Sequence, residues 1–342
     1  MARPTIKDLA AAADLSVSTV NRVIGGHPNV REVTIEQVRR AAEEIGFYGL
    51  YAIEDRLKSR LSRYRFGFLL QDSSGDFYSS VGDELKRHAS GYSNARIDIE
   101  IEYMKDLSPE AVSESMRSMG EKVDALAVVT AQHPMIAQAL LDLREAGKPV
   151  FAMISGLSSS CGAPYIGLDN WKVGRTAAWL ISHVSKREGE VAILVGNHRY
   201  RCQEMNESGF RSYFREMAPS FRLLEPQPTY ESDAIARDVT ERLLDNHPNL
   251  EAIYVAGGGL AGVIDSVGSK RAPGRVTVVG HDLSSAIKKG LVNGVLTASI
   301  AHDIDRLASS TIEAMFESVY EPTEGVKLDT ILPFYTVTRE TL

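Results

Sequence analysis

The sequence predicts a small all-α head containing a helix-turn-helix, followed by a larger α/β body made of two half-bodies on parallel sheets. Three observations carry this expectation. Apolar residues recur at helical spacing through the first fifty positions, strand-like apolar runs alternate with amphipathic stretches from Arg65 onward, and the alternation begins afresh at Val191. A chain of 342 residues, 44% of them hydrophobic, is long enough for a head and a sizeable buried core.

The head reads as three helices. Thr5, followed three residues later by Asp8, has the spacing of a capping box, and Ile6, Leu9, Ala10 and Ala13 form the stripe behind it. A tight turn follows at Ala13-Asp14-Leu15-Ser16, where Asp14 takes the left-handed position usually given to glycine. Leu15, Val20, Val23 and Ile24 then share one face of a second helix, leaving Ser18, Thr19, Asn21 and Arg22 elsewhere, and Gly25-Gly26 stops it. Thr34 with Gln37 is expected to cap a third helix, which carries Ile35, Val38, Ala41, Ala42 and Ile45 inward and ends at Gly46. This plan places the second helix in a DNA major groove with its N-terminal side chains at the base edges. The plainer alternative is three helices of a larger all-α core.

Beyond the head, Ile53, Leu57 and Leu61 recur every four residues, suggesting a short amphipathic helix or, alternatively, a plain linker with a basic tail. Strands are expected at Phe66–Leu70, Ile97–Tyr103, Ala125–Val129 and Val150–Ile154, with helices through Val81–His88, Pro109–Met119 and Met135–Ala146. The second set has strands at Val191–Val195, Ala252–Ala256 and Val276–Val279, and helices at Ser208–Met217, Ala234–Asn246 and Leu260–Val267.

Charge and cysteine usage narrow the class. The net charge is −7, but its distribution is uneven. Basic Arg3, Lys7, Arg22, Arg31, Arg39 and Arg40 balance Asp8, Asp14, Glu32, Glu36, Glu43 and Glu44 over the first fifty residues, whereas 51–65 carries +3. The basic footprint is therefore modest, so DNA affinity has to come from two copies binding together and falls steeply with salt. No apolar stretch approaches the roughly 20 residues of a bilayer span, and the N-terminus lacks an export signal, so no membrane partner and a cytoplasmic location are expected. Cys161 and Cys202 are too few for a disulfide framework and show no metal-ligand spacing, so no metal is expected.

The residues Thr5-Ile6-Lys7-Asp8-Leu9-Ala10, Leu15 through Val23, Val30, Thr34 and Ile45-Gly46-Phe47 resemble the N-terminal signature of the LacI family of bacterial transcription regulators. The resemblance implies a homodimeric repressor on double-stranded, pseudo-palindromic operator DNA, with a type I periplasmic-binding-protein-like effector body. It implies a helix-turn-helix domain at 1–48 and a hinge helix at 49–64. An effector domain follows at 65–342, with one lobe at about 65–168 and 301–332, the other at about 169–300 and 333–342, and crossovers near Asp169, Ile300 and Pro333. Thr5, Ser16, Val17, Ser18, Thr19, Asn21 and Arg22 would face DNA, Asn29, Val30 and Thr34 would flank its backbone, and Leu57 would wedge the minor groove. The chain departs from the family at the hinge, where Gly49-Leu50 replaces Pro-Asn.

A ligand of an open α/β sheet sits beyond the carboxyl ends of the strands. The loops there offer Asp72, Ser73, Ser74, Phe77, Tyr78, Asp169, Trp171, Arg201, Asn206, Gly258, Asp282 and His302. Carboxylates and amides beside aromatic surfaces suit a sugar or polyol effector. The resemblance puts Asp169 and Asp282 where family members grip hydroxyls, although each also reads as a helix N-cap. Phe77, Tyr78 and Trp171 also read as packing aromatics, and His302 as a satisfied polar residue. The family commonly has Arg where Asn206 stands, Asn-Asp where Gly258-Gly259 stand, and Gln where His302 stands. A pocket without that fixed cation is less suited to a carboxylate, unless Arg199 or Arg201 replaces it.

Two rivals remain. Gly257, Gly259 and Gly262 satisfy G-x-G-x-x-G after a strand, with Asp282 about twenty residues on, as in an NAD(P)-dependent oxidoreductase. A transport-type sugar-binding protein shares the two-lobed body but not the head. The regulator reading needs no cofactor and no catalytic residue.

Overall fold

The computed structural model describes residues 3–27, 29–51, 53, 61–72, 76–157, 162–320 and 329–342. Leu57, Ser73, Ser74 and Cys161 therefore lie outside the described residues. Two compact units emerge, residues 1–64 with 90–98 and residues 65–89 with 99–342. Among the described residues no helix is long and apolar enough to cross a membrane.

In the first unit, helices α1 (Ile6–Ala12), α2 (Val17–Ile24) and α3 (Glu32–Glu44) close over one core. Leu9, Val20, Val38, Ala42 and Ile53 are fully buried in it. Asp14 takes the turn's left-handed conformation at φ 48°. Two expectations are corrected. Leu15 precedes α2, whose N-cap is Ser16, because the Ser16 hydroxyl accepts from Thr19 N at 3.1 Å. Helix α3 starts at Glu32 after Arg31, so Thr34 is inside the helix and caps nothing, and Gln37 donates instead to Ala13 O across the turn at 2.7 Å. Burial of Ile53 in this core also removes it from the amphipathic face expected of a hinge helix.

The second unit carries two sheets. The first contains β1 (Arg63–Gln71), β2 (Arg96–Met104), β3 (Ala125–Val128), β4 (Val150–Met153), β5 (Tyr165–Leu168) and β12 (Thr330–Leu332), ordered β12-β5-β4-β3-β1-β2. Helices α4 (Phe77–Gly91), α5 (Pro109–Lys122) and α6 (Pro134–Glu145) follow β1, β2 and β3. The second sheet contains β6 (Glu190–Val195), β7 (Arg222–Leu223), β8 (Gln227–Pro228), β9 (Leu250–Val255), β10 (Thr277–His281), β11 (Ala298–His302) and β13 (Phe334–Val337), ordered β13-β11-β10-β9-β6-β7, with β8 also paired to β6. Its helices are α7 (Asn170–Val184), α8 (Arg201–Met217), α9 (Asp233–Asn246), α10 (Leu260–Lys270) and α11 (Ser285–Val292).

The chain passes between sheets after β5, after β11 and between β12 and β13. Helix α12 (Ile304–Tyr320) already belongs to the first sheet's side, so the second passage lies just past His302, near the expected Ile300. Strand β13 returns antiparallel to β11, an exception to an otherwise parallel sheet. Central strands such as Ala125–Val128 and Leu250–Val255 are buried throughout, as expected where helices cover both faces. Helix α8 begins at Arg201, seven residues before the expected Ser208, which moves Arg201 to Asn206 from a loop onto a helix.

Candidate functional site

One face of α2 is exposed. Val17, Ser18, Asn21 and Arg22 are exposed while Val20 and Val23 are buried, so one turn of helix offers a carboxamide, a hydroxyl and a guanidinium to solvent. Thr5 and Ser16, also exposed, double as helix caps. Thr5 N donates to Asp8 at 2.7 Å, and Ser16 contacts the Thr19 hydroxyl at 2.8 Å. Asn29 is exposed, and Val30 and Thr34 are half-buried.

In the second unit the carboxyl ends of both sheets enclose a cavity of about 190 Å³. The first sheet's side contributes Gln71, Phe77, Tyr78, Ile154 and Leu168, and the other side most of the remainder. Hydrogen bonds join the two sides around it. Asp76 accepts from Ser285 N at 3.1 Å and from its hydroxyl at 2.7 Å, Gln132 N donates to Arg199 O at 2.8 Å, and Cys202 N donates to Ser155 Oγ at 3.4 Å.

Three carboxylates line the wall, those of Glu231, Asp233 and Asp282. Asp282, left-handed at φ 56°, accepts at Oδ1 from both His302 N (3.1 Å) and His302 Nδ1 (2.7 Å). Burial alone would push its carboxyl up, but the contacts with His302 hold it below the usual carboxylate range. Glu231, also left-handed at φ 60°, accepts from Gln203 Nε2 at 2.6 Å and from Gly258 N at 2.9 Å. Burial raises its pKa, and those two bonds oppose the rise. Burial likewise pushes the Cys202 thiol up to about 12 and the Tyr78 phenol well above its ordinary value, so both stay protonated. His281 is pushed down to about 4 by burial, and its Nε2 lies 2.8 Å from the Tyr254 hydroxyl. Being neutral, it accepts there from the protonated phenol.

Two buried polar atoms of the lining lack a hydrogen-bond partner, Asn206 Oδ1 and His302 Nε2. Buried polar groups are normally satisfied, so the unpaired atoms mark positions for ligand hydrogen bonds. With His302 Nδ1 engaged by Asp282, Nε2 is the ring atom left for a ligand.

The glycine run is occupied by protein. Cβ atoms added at Gly196 and Gly258 would meet the Glu231 carboxylate at 1.8 and 2.2 Å, and one at Gly257 would meet Gln203 Oε1 at 2.4 Å. A Cβ at Gly262 would meet Asp233 O at 1.9 Å, where α10 packs on α9. These glycines seat a buried carboxylate and two helices, and the Gly258 N–H that a pyrophosphate would use is taken by Glu231.

Residues 66–319 match the family described as periplasmic binding protein domain, and residues 5–49 match the bacterial regulatory proteins of the lacI family. The chain is a lacI-family regulatory protein with a periplasmic binding protein body. Catabolite control protein A of Priestia megaterium is 23% identical over 306 residues, 85% of this chain and 87% of that protein. The ribose operon repressor of Bacillus subtilis is 22% identical over 295 residues, 81% of each chain. The D-allose-binding periplasmic protein of Escherichia coli is 29% identical over 156 residues, and that match spans 45% of this chain and only 50% of the relative's length. The body's fold matches a solute-binding protein from Actinobacillus succinogenes crystallised with D-allose, at TM-score 0.73 and 20% identity over 81% of this chain and 98% of the other.

In this lacI-family chain the structure brings Phe77, Tyr78, Asn206, Gly258, Asp282 and His302 together around the cavity. Asp72, Asp169, Trp171 and Arg201 do not line it. Asp72 is exposed, 4.0 Å from Lys105. Asp169 caps α7 through Lys172 N at 3.1 Å and pairs with Lys172 Nζ at 3.0 Å, while its neighbour Asn170 lines the cavity. Trp171 is 38% exposed, and Arg201 is exposed at the start of α8. Among residues not singled out from sequence as site residues, the polar additions include Gln71, Asn170, Gln203, Glu231, Asp233, His281 and Ser284. Glu231 follows β8 and precedes α9, a strand-end position that was open to the same rule that found the others.

Proposed function

We propose that this protein is a homodimeric repressor of transcription, located in the bacterial cytoplasm and associated with the nucleoid. It binds a pseudo-palindromic operator in double-stranded DNA and responds to a small sugar or polyol in the cavity. The proposed division is a reading head at 1–48, a hinge at 49–64 with Leu57 as minor-groove wedge, and an effector body at 65–342. The observation that carries the reading is the polar cavity at the carboxyl ends of both sheets, on a chain whose α2 leaves Val17, Ser18, Asn21 and Arg22 uncovered. Regulators among the relatives span head and body together, and D-allose in the solved neighbour supports a sugar-sized effector. The lacI-family head weighs against a transport protein, and the Glu231-filled glycine loop against a dinucleotide enzyme, so we assign no catalytic role.

Two variants test it. Arg22→Ala is expected to cost about 1–3 kcal/mol in operator binding and to relax discrimination at one base position per half-site, read by mobility shift. Asp282→Asn keeps a side chain that tolerates the left-handed backbone and an acceptor for His302 while removing charge. It should lose the response to effector while operator binding survives. Loss of both functions would make Asp282 a structural residue, and unchanged discrimination in Arg22→Ala would remove that helix face from the base-reading role.

A further inference from the structure

The wall of the cavity is lopsided in charge. Among the described residues its lining contains no lysine and no arginine, yet it contains the carboxylates of Glu231, Asp233 and Asp282, and beside them the buried Asn206 Oδ1 lacks a hydrogen-bond partner. Asp282 has His302 as its counterpart. Glu231 has only neutral donors, the Gln203 amide and the Gly258 N–H, and among the described residues it forms no ion pair with a basic side chain. A buried carboxylate held by neutral donors alone is costly, and a complementary charge brought by a ligand removes most of that cost. Its placement is built in. Gly196 and Gly258 leave room for no Cβ beside the carboxylate, and the backbone at Glu231 is left-handed, where a non-glycine residue is strained.

We infer that the effector carries a protonated primary amine on a polyhydroxylated body, of the amino-sugar class, with the ammonium directed to Glu231. This rests on the reading of the cavity as a sugar or polyol site. An ammonium offers three donors and no acceptor, which suits the carboxylate oxygens of Glu231, and the hydroxyls of the sugar body serve Asn206 and the Asp282–His302 pair. A carboxylate or phosphate ligand meets like charge at Glu231 and Asp282.

The test is isothermal titration of the full chain at neutral pH with D-glucosamine, D-galactosamine and D-mannosamine. Each is compared with its parent hexose and its N-acetyl form. One amino sugar is expected to bind at least about tenfold tighter than both neutral counterparts, the advantage of a charge-assisted over a neutral hydrogen bond. Glu231→Gln, nearly isosteric, should shrink that gap to less than about threefold. The wild-type comparison stands even if the variant fails to fold. Parent hexoses binding as tightly as the amines, or an amine preference that persists in Glu231→Gln, overturns the amine assignment and leaves the sugar cavity intact. Silence across the whole panel overturns the assignment together with the sugar reading beneath it.

Discussion

Helices α7 and α8 are held together by two reciprocal glycine contacts, and this makes Gly174→Ala a severe but local perturbation. A Cβ at Gly174 would lie 1.9 Å from the backbone oxygen of Asn206, and one at Gly209 would lie 2.3 Å from the backbone oxygen of Trp171. Ordinary van der Waals contact begins at 3.4 Å, so an alanine at 174 demands a retreat of roughly 1.5 Å by a helical backbone that has no rotamer to change. Overpacking of this kind costs typically about 1–3 kcal/mol, and a backbone obstacle argues for the upper end. In a body of this size that corresponds to a fall in melting temperature of roughly 5–10 °C. The residue displaced is Asn206, whose Oδ1 is an unpaired acceptor of the cavity, so effector affinity should fall with stability. Calorimetric melting of Gly174→Ala beside Gly91→Ala, where an added Cβ meets nothing within 4 Å, separates the packing effect from a general glycine effect. A Gly174→Ala melting temperature within about 1 °C of wild type would falsify the close-approach argument and the register assigned to α8.

Two further outcomes follow from the cavity rim. Asp76→Ala removes the carboxylate that Ser285 holds below its usual pKa; because Asp76 is exposed, the loss is discounted to about 1 kcal/mol, near fivefold in the closed population and in effector affinity. A double cycle with Ser285→Ala showing simple additivity would remove the latch from the argument. The buried neutral His281 has its pKa depressed from 6.5 to about 4, so between these values the unfolded chain binds a proton that the folded chain refuses. Stability contributed above pH 6.5 is therefore lost progressively as pH falls to about 4, by on the order of 2–3 kcal/mol. His281→Gln should flatten that part of the denaturation-versus-pH curve, and an unchanged slope would reassign it to other groups.

Where the sequence reading succeeded, a side chain carried the local instruction. Asp14 is a left-handed position filled by a residue type that tolerates it, and the Thr5–Asp8 capping box forms with both hydrogen bonds present. Where it failed, the structure uses no such mark. Arg31 and Tyr200 stand at the N-caps of α3 and α8 without a side-chain cap bond, so both helices start earlier than the nearest conventional signal suggests. The displaced start of α8 hid Gln203 and Asn206 as neighbours on one helix. Tyr230-Glu231 turn left-handed, at φ 51° and 60°, with neither glycine nor asparagine to announce it. The turn that places Glu231 in the wall thus carried no mark of its own, although its strand-end position was open to the rule that found the other lining residues. Asp169 shows the opposite error, since its acid suggested a contact while the capping bond it makes leaves Asn170 facing the cavity.

The strained positions also tie the cavity to the passage between the sheets. Ile154 lines the cavity at φ 64°, a conformation that a β-branched residue adopts only when its surroundings over-determine it. Those surroundings are two hydrogen bonds, Ile154 N to Ile166 O at 3.0 Å and Tyr165 Oη to Ile154 O at 3.1 Å. The same Tyr165 hydroxyl lies 3.0 Å from Leu168 O and accepts from Asn170 Nδ2 at 3.0 Å, at the point where the chain leaves the first sheet for the second. One buried phenol thus fixes a strained wall residue and the first crossover together. Leu168 and Asn170 both line the cavity, so a ligand that shifts either of them acts on the bonds that hold Ile154 and the crossover in place. Contact at the cavity is in this way contact with the first passage between the sheets, and a physical link of this kind is what any effector control of their relative position requires.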